Sequence, residues 1–158
     1  MTYCGMEYAQ VVEKYMDRVY RAALSACKNP SDAQDVVQNT FLKLLYVKRA
    51  FRDEEHLRRW LLRVAVNECN SLFRLSFRKR SVPLEEAGEI AAEPFDEEQA
   101  ALYEAVLKLP AKYRTPIHLY YYEGYSAKEI AEILHIRENV VSIRLFRARE
   151  KLREMLEA

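Results

Sequence analysis

The chain has 158 residues, with 25 Lys and Arg against 24 Asp and Glu, a net charge of +1 that by itself points to no partner. Half of the residues are hydrophobic and 31% are charged, with 3 Gly and 5 Pro, which excludes a collagen-like or wholly disordered chain. No apolar run approaches the roughly 20 residues of a membrane span, and Met1–Glu7 lacks the basic stretch and apolar core of a signal peptide, so a cytoplasmic protein is expected.

In chain order, Val11, Val12, Tyr15, Val19, Ala22 and Ala23 recur at helical spacing and predict a first helix that ends at Asn29-Pro30. Ser31-Asp32-Ala33-Gln34 has the form of a capping box. Val37, Phe41, Leu44 and Leu45 follow as one apolar stripe of a second helix, with Asp35, Gln38, Asn39 and Lys43 opposite. Residues 49–55 read as a connection. Leu57, Trp60, Leu61 and Val64 mark a third helix, interleaved with Arg58, Arg59 and Arg63. Asn67-Glu68-Cys69-Asn70 predicts a bend or short loop, because Asn competes with the helix for its own backbone. Leu72, Phe73, Leu75 and Phe77 then resume and end in Arg78-Lys79-Arg80.

Residues 81–98 hold Pro83, Gly88, Pro94 and seven acids, and read as an extended acidic linker. Charge is partitioned accordingly: residues 1–80 carry a net +6, residues 81–110 a net −7 and residues 111–158 a net +2. Two basic blocks joined by an acidic one suggest two modules that face a polyanion and a linker that does not.

The second block opens with Ala101, Leu102, Ala105, Val106 and Leu109 at helical spacing. After Pro110, Tyr113, Ile117, Tyr120 and Tyr121 continue the pattern, with Tyr120-Tyr121-Tyr122 read as core packing plus one surface ring. Pro116 either kinks that helix or starts a new one behind a Thr115 cap. Ser126-Ala127-Lys128-Glu129 is a second capping box, opening a short helix with Ile130, Ala131, Ile133 and Leu134 inward. A tight connection at 135–138 leads to a last helix with Val140, Val141, Leu145 and Ala148 on its apolar stripe.

Cys4, Cys27 and Cys69 are odd in number and far apart, and the three His are scattered, which argues against a zinc site or a disulfide framework and for buried free thiols. No Ser-His-acid grouping, phosphate-cradling Gly loop or metal-ligand spacing is present, so no catalytic residue, metal or cofactor is expected.

Three segments carry the functional signal. Residues 126–149 have the form of a helix-turn-helix, in which a second helix enters the major groove and flanking cations meet phosphates; a helical hairpin with a solvated basic face is the alternative. Trp60–Arg80 interleaves aromatic rings, cations and two Asn, the ingredients for stacking and tracking a single strand; the alternative is a core Trp and a solvated face. The polar face of the second helix is either a docking surface or simply solvated.

Taken in order, these segments resemble the sigma-70 family of bacterial sigma factors. Asp32–Leu45 (DAQDVVQNTFLKLL) is similar to region 2.2 and Trp60–Asn67 (WLLRVAVN) to region 2.3. Leu109–Arg114 (LPAKYR), Tyr121–Leu134 (YYEGYSAKEIAEIL) and Arg144–Arg153 (RLFRAREKLR) are similar to region 4. The length, and a linker where larger relatives have another domain, resemble the extracytoplasmic-function (ECF) group.

The resemblance implies an all-α protein of two small helical domains, residues 1–80 and 99–158, joined by a flexible acidic linker at 81–98. It implies a non-enzymatic polymerase subunit. Its partners would be the β′ and β subunits of core RNA polymerase, promoter DNA and an anti-sigma factor, with no small-molecule substrate. It places Asp32, Asp35, Gln38, Asn39 and Phe41 at the core-polymerase interface. Trp60, Arg63, Asn67, Asn70, Arg74, Arg78, Lys79 and Arg80 would open and hold the minus-ten element. Ser126, Arg137, Asn139, Ser142, Ile143, Arg144, Phe146, Arg147 and Arg149 would read the minus-thirty-five duplex. A helix-turn-helix regulator acting without polymerase, and a protein-interaction adaptor, are the rival classes.

Overall fold

A computed structural model describes residues 2–48, 50–75 and 97–157, with the side chains of residues 72–75 outside that description. Arg78, Lys79, Arg80 and most of the acidic stretch therefore lie outside the described residues. The chain divides into two compact units, Met1–Ala87 and Gly88–Ala158. Among the described residues every regular element is a helix, apart from an isolated bridge between Tyr3 and Met6, and no helix is long and apolar enough to cross a membrane.

The first unit is a three-helix bundle. Helix α1 (Tyr8–Cys27) packs on α2 (Pro30–Tyr46) and on α3 (Glu54–Leu75), and α2 packs on α3. Val11, Tyr15, Val19, Ala22, Ala23 and Leu24 of α1 meet Ala33, Val36, Phe41 and Leu44 of α2 and Leu57, Leu61, Leu62, Ala65, Val66 and Cys69 of α3 in one core. The α1–α2 turn takes two residues. Lys28 adopts the left-handed conformation (φ 57°) and its N–H donates to the Leu24 carbonyl. Asn29, with Pro30 at the first helical position, accepts from the Asp32 N–H at 3.1 Å and caps α2. The cap is thus Asn29, not Ser31. At the far end, the Tyr8 hydroxyl donates to the Phe41 carbonyl (2.7 Å), and the Tyr15 hydroxyl donates to Glu54 (2.6 Å) at the start of α3.

Three further expectations for this unit are corrected. The buried α2 stripe is Ala33, Val36, Thr40, Phe41 and Leu44, so Phe41 and Leu44 lie on it as expected, while Val37 is half-buried and Leu45 exposed. Helix α3 runs unbroken through Asn67–Asn70: the apolar neighbours Val66 and Cys69 are buried, and their packing outweighs a propensity penalty of roughly half a kcal/mol per Asn. Cys27 and Cys69 are not free thiols: they pair across α1 and α3 with Cα atoms 5.4 Å apart, and Cys4 is the exposed free cysteine.

The second unit sets short pieces, α4 (Glu97–Lys108), α5 (Ala111–Ile117), a π turn (His118–Tyr122) and α6 (Ala127–Leu134), before one long helix, α7 (Glu138–Glu157). Helix α4 begins at Glu97, so Glu97 and Glu98 belong to a helix N-terminus, where acids suit the dipole. Its buried face is Ala105, Val106 and Leu107, followed by Leu109, while Ala101 and Leu102 are exposed. Pro116 neither starts a helix nor follows a Thr115 cap. It sits buried in the last turn of α5, and the helix widens beyond it, with the Glu123 N–H reaching back to the His118 carbonyl at 3.2 Å.

Candidate nucleic-acid interface

In the first unit, α2 presents an exposed stripe at i, i+3, i+7 and i+10: Asp35, Gln38, Leu42 and Leu45. Leu42 and Leu45 are about half exposed and Tyr46 is 79% exposed. Asp32 and Asn39 flank the stripe and are partly exposed. Phe41, which the resemblance places at the interface and the periodicity in the apolar stripe, is 5% exposed and belongs to the core. Leu42, Leu45 and Tyr46 were not among the expected residues, although their spacing from Gln38 is present in the sequence. An apolar patch edged by acids is the chemistry of a protein-docking surface. Lys43 of α2 pairs with Glu68 of α3, fixing the two helices side by side.

Helix α3 carries a second stripe. Trp60, Arg63, Asn67 and Asn70 follow one another at heptad spacing along a continuous helix, and Arg74 takes the next position. Asn67 and Asn70 are exposed, whereas Trp60 and Arg63 are half-buried. The Trp60 ring packs edge-on against Phe51 (5.7 Å between centroids), which packs against His56 (5.2 Å). The indole is therefore braced rather than free. The start of the helix is tied down by Glu54, whose carboxyl is held below its usual range by hydrogen bonds from Lys14 and Tyr15. Burial and the bond to Glu54 push the Tyr15 phenol up.

In the second unit, α6 and α7 form the helix-turn-helix. Ser126 caps α6 by accepting from the Glu129 N–H (3.2 Å), and Glu129 returns a bond from the Ser126 N–H (2.9 Å). His135 closes α6 in the left-handed conformation, and the Ile136 N–H donates to the Ala131 carbonyl. The Arg137 carbonyl then accepts from the Val140 and Val141 N–H groups as α7 begins. Ile130, Ala131 and Ile133 of α6 are buried, as are Val141, Leu145, Ala148 and Leu152 of α7, with α6 packed on α7. Leu134 and Val140 are half-buried.

That packing turns the other faces of α7 outward. Arg137, Asn139, Ser142, Ile143, Phe146, Arg147 and Arg149 are exposed and Arg144 is half-buried. Ile143 and Phe146, 47% and 61% exposed, place apolar surface among the cations. Arg149 and Arg147 of this face also make contacts within the unit. Arg149 lies over the Tyr120 and Tyr121 rings (5.4 and 5.6 Å) and its Nε donates to the Tyr121 hydroxyl at 2.7 Å. Both rings are exposed, against the expectation of a single surface ring. Burial would raise the Tyr113 phenol, but hydrogen bonds from Arg147 and Lys112 and their charges bring it below its usual range. Beneath them, Arg114 is buried; its guanidinium donates to the Leu109 carbonyl (2.6 Å), and desolvation lowers its pKa to about 10.

Beside α7 lies an apolar groove of about 470 Å³, lined by Leu102, Val106, Ile117, Tyr121, Leu152 and Leu156 with Arg149 and Arg153 at its edge. Among the described residues no group of three or more His, Cys, Asp or Glu is placed to hold a metal ion.

Comparison with known proteins matches two stretches of the chain to two family models. Residues 11–79 match sigma-70 region 2, and residues 99–152 match sigma-70 region 4. The ECF RNA polymerase sigma factor SigW of Bacillus subtilis is 30% identical over 94% of this chain and 88% of its own length. The RNA polymerase sigma factor SigV of the same organism is 32% identical over 87% of this chain and 83% of its length. Among solved structures, the sigma factor RpoE of Bartonella quintana, in complex with the anti-sigma factor NepR, superposes with a TM-score of 0.75 at 23% identity, covering 96% of this chain and 97% of that one. With two helical units of this kind, matched in order along the chain, the protein belongs to the ECF group of sigma-70 family RNA polymerase sigma factors.

Proposed function

We propose that the chain works as a dissociable subunit of RNA polymerase with a division of labour between its units, residues 1–80 and 99–158, across the linker at 81–98. The observation that carries this reading is the pairing of exposed surfaces of different chemistry. One is an Asn-bearing stripe on α3. The other is a cation-bearing helix-turn-helix face on α7. The α7 face suits duplex: cations neutralise phosphates and polar side chains at the start of the helix reach base edges. The α3 stripe suits a melted strand: the Asn amides can hydrogen-bond the edge of an unpaired base, and the half-buried Trp60 offers a braced edge for it to rest on.

Docking on the β′ subunit of core polymerase falls to the α2 stripe of Asp35, Gln38, Leu42 and Leu45, with Phe41 supporting it from inside. Promoter DNA and an anti-sigma factor are the other partners, and the protein carries out no chemical step itself. Its place of action is the cytoplasm, where core polymerase and promoter DNA meet.

The test is reconstitution. Core polymerase with this protein, but neither alone, should yield run-off transcripts from promoter fragments selected by the assembled holoenzyme. Binding of isolated protein to duplex promoter at full strength, with no transcript gained on adding polymerase, would point instead to a regulator that acts by itself.

A further inference from the structure

Cys27 and Cys69 lie outside every surface assigned above. Cys27 is the last residue of α1 and is partly exposed; Cys69 is 2% exposed, on the inner face of α3. The two are 42 residues apart in sequence, yet their Cα atoms are 5.4 Å apart and their sulfurs are bonded. A disulfide spans this Cα separation without backbone movement. Cys69 Sγ also lies 3.3 Å from the Ala23 carbonyl oxygen, an acceptor for its S–H whenever the bond is open. The same packing therefore accommodates the dithiol and the disulfide.

We propose that Cys27 and Cys69 form a reversible, hydroperoxide-driven staple that fastens α1 to α3. The sulfur of Cys27, the more exposed residue of the pair, attacks a peroxide oxygen as thiolate. The O–O bond breaks, an S–O bond forms, hydroxide leaves and Cys27 becomes a sulfenic acid. The Cys69 sulfur then attacks the Cys27 sulfur. An S–S bond forms, the S–O bond breaks, and the departing hydroxide takes the Cys69 proton as water. In balance, two thiols give up two protons and two electrons, and one hydrogen peroxide becomes two waters. A small thiol reverses the bond by attack on the sulfur of the partly exposed Cys27, through a mixed disulfide.

Because the helices are already packed, closure constrains the unfolded chain and leaves the folded one in place. Oxidation therefore stabilises this unit instead of inactivating it, and it spares both thiols from irreversible over-oxidation. This inference rests on the fold alone and is independent of the role proposed for the protein.

The test uses the full chain carrying Cys4→Ser, so that the exposed free cysteine cannot exchange. After treatment with hydrogen peroxide and alkylation in denaturant, the intact mass should fall by two hydrogens, with no alkylated Cys, and dithiothreitol should restore two alkylatable thiols. The melting temperature of the first unit should rise by about 10 °C or more on oxidation. The rise should be absent when Cys27→Ser is added. Sulfinic acid at either position in place of the bond would overturn the proposal. So would a bond that forms and leaves the melting temperature unchanged or lowered. The oxidised-against-reduced comparison stands without the second variant, should that variant fail to fold.

Discussion

The two units solve the same problem with different materials. In the first, three long helices each bury a stripe against the other two, and the core is a set of aliphatic side chains such as Val11, Val19, Leu44, Leu57 and Leu61. Among its described residues the buried polar side chains are Ser25, Asn29 and Thr40: Thr40 bonds its own helix at Val36, and Asn29 caps α2. In the second, helices of 7 to 12 residues precede α7 and bury less apolar surface each. Arg114, Thr115, His118 and Glu123 are all buried there. Short elements need geometry imposed on them, here by a capping box, a left-handed closure at His135 and a π turn. Stability by burial leaves the α2 and α3 exteriors free for function. Specification by polar contacts spends part of the exposed α7 surface on the fold itself, as Arg149 and Arg147 show through their bonds to Tyr121 and Tyr113.

The largest effect that could break this contrast is on docking. Changing Asp35 and Gln38 together to Lys should weaken co-elution with core polymerase about 100-fold or more, by analogy with charged interface residues elsewhere. The helix content should stay unchanged, because both side chains are exposed. Undiminished co-elution would remove α2 from the interface.

Next comes the core. Leu61→Ala should cost about 2–5 kcal/mol, as large-to-small changes at fully buried sites do. Arg114→Met should cost about 1–3 kcal/mol, by leaving the Leu109 carbonyl without that donor. Amide exchange read unit by unit sharpens the point: the first change should accelerate α1–α3 and the second α4–α7. A spread of either effect into the other unit would show that the two do not unfold separately.

Asn67→Ala should leave closed-duplex binding intact and reduce open complex about ten- to a hundred-fold, equivalent to about 1–3 kcal/mol of lost base contact. Arg147→Ala should do the reverse and be silent on a pre-melted template that lacks the upstream element. Permanganate reactivity on duplex and pre-melted promoters separates the two outcomes.

The smallest effect is at Glu54. Its carboxyl has a lowered folded-state pKa, so its contribution is complete above the unfolded value and is lost as pH falls through the folded one. Being 43% exposed, the group is worth no more than about 1 kcal/mol. The melting temperatures of wild type and Glu54→Gln should differ slightly at neutral pH and converge in acid. Divergence in acid would reverse the assigned sign.

Legibility followed the same division. The helices of the first unit are marked by periodicity, and the capping box at Ser126 fixes α6 from local chemistry alone. The phase of α2 was harder to read, because Val36-Val37 and Leu44-Leu45 are doublets and a doublet fits two adjacent stripes equally well. That ambiguity is also why Val37 and Leu45 read as core in place of Val36, whereas Phe41 of the same stripe is buried as its spacing suggests. Asn67 and Asn70 suggested a break because local preference was visible and the packing of Val66 and Cys69 was not. The Cys27–Cys69 pair is a tertiary contact between residues 42 apart, and no local signal encodes it. At Pro116 the sequence marks a disturbed helix, but the choice of a π turn depends on how the buried Ile117, His118 and Leu119 pack.

Helix α3 has a mechanical meaning. One side is bolted along its length to α1 and α2 through Leu57, Leu61, Ala65 and Cys69, and the other bears Asn67 and Asn70. A rod clamped in this way transmits load instead of bending under it. In the role proposed here, a nucleotide drawn out of the duplex pulls on the whole bundle rather than on a loop. Strand opening would then draw on the rigidity of the bundle, and its yield should fall on warming toward the melting temperature of this unit, before duplex recognition by the other unit declines.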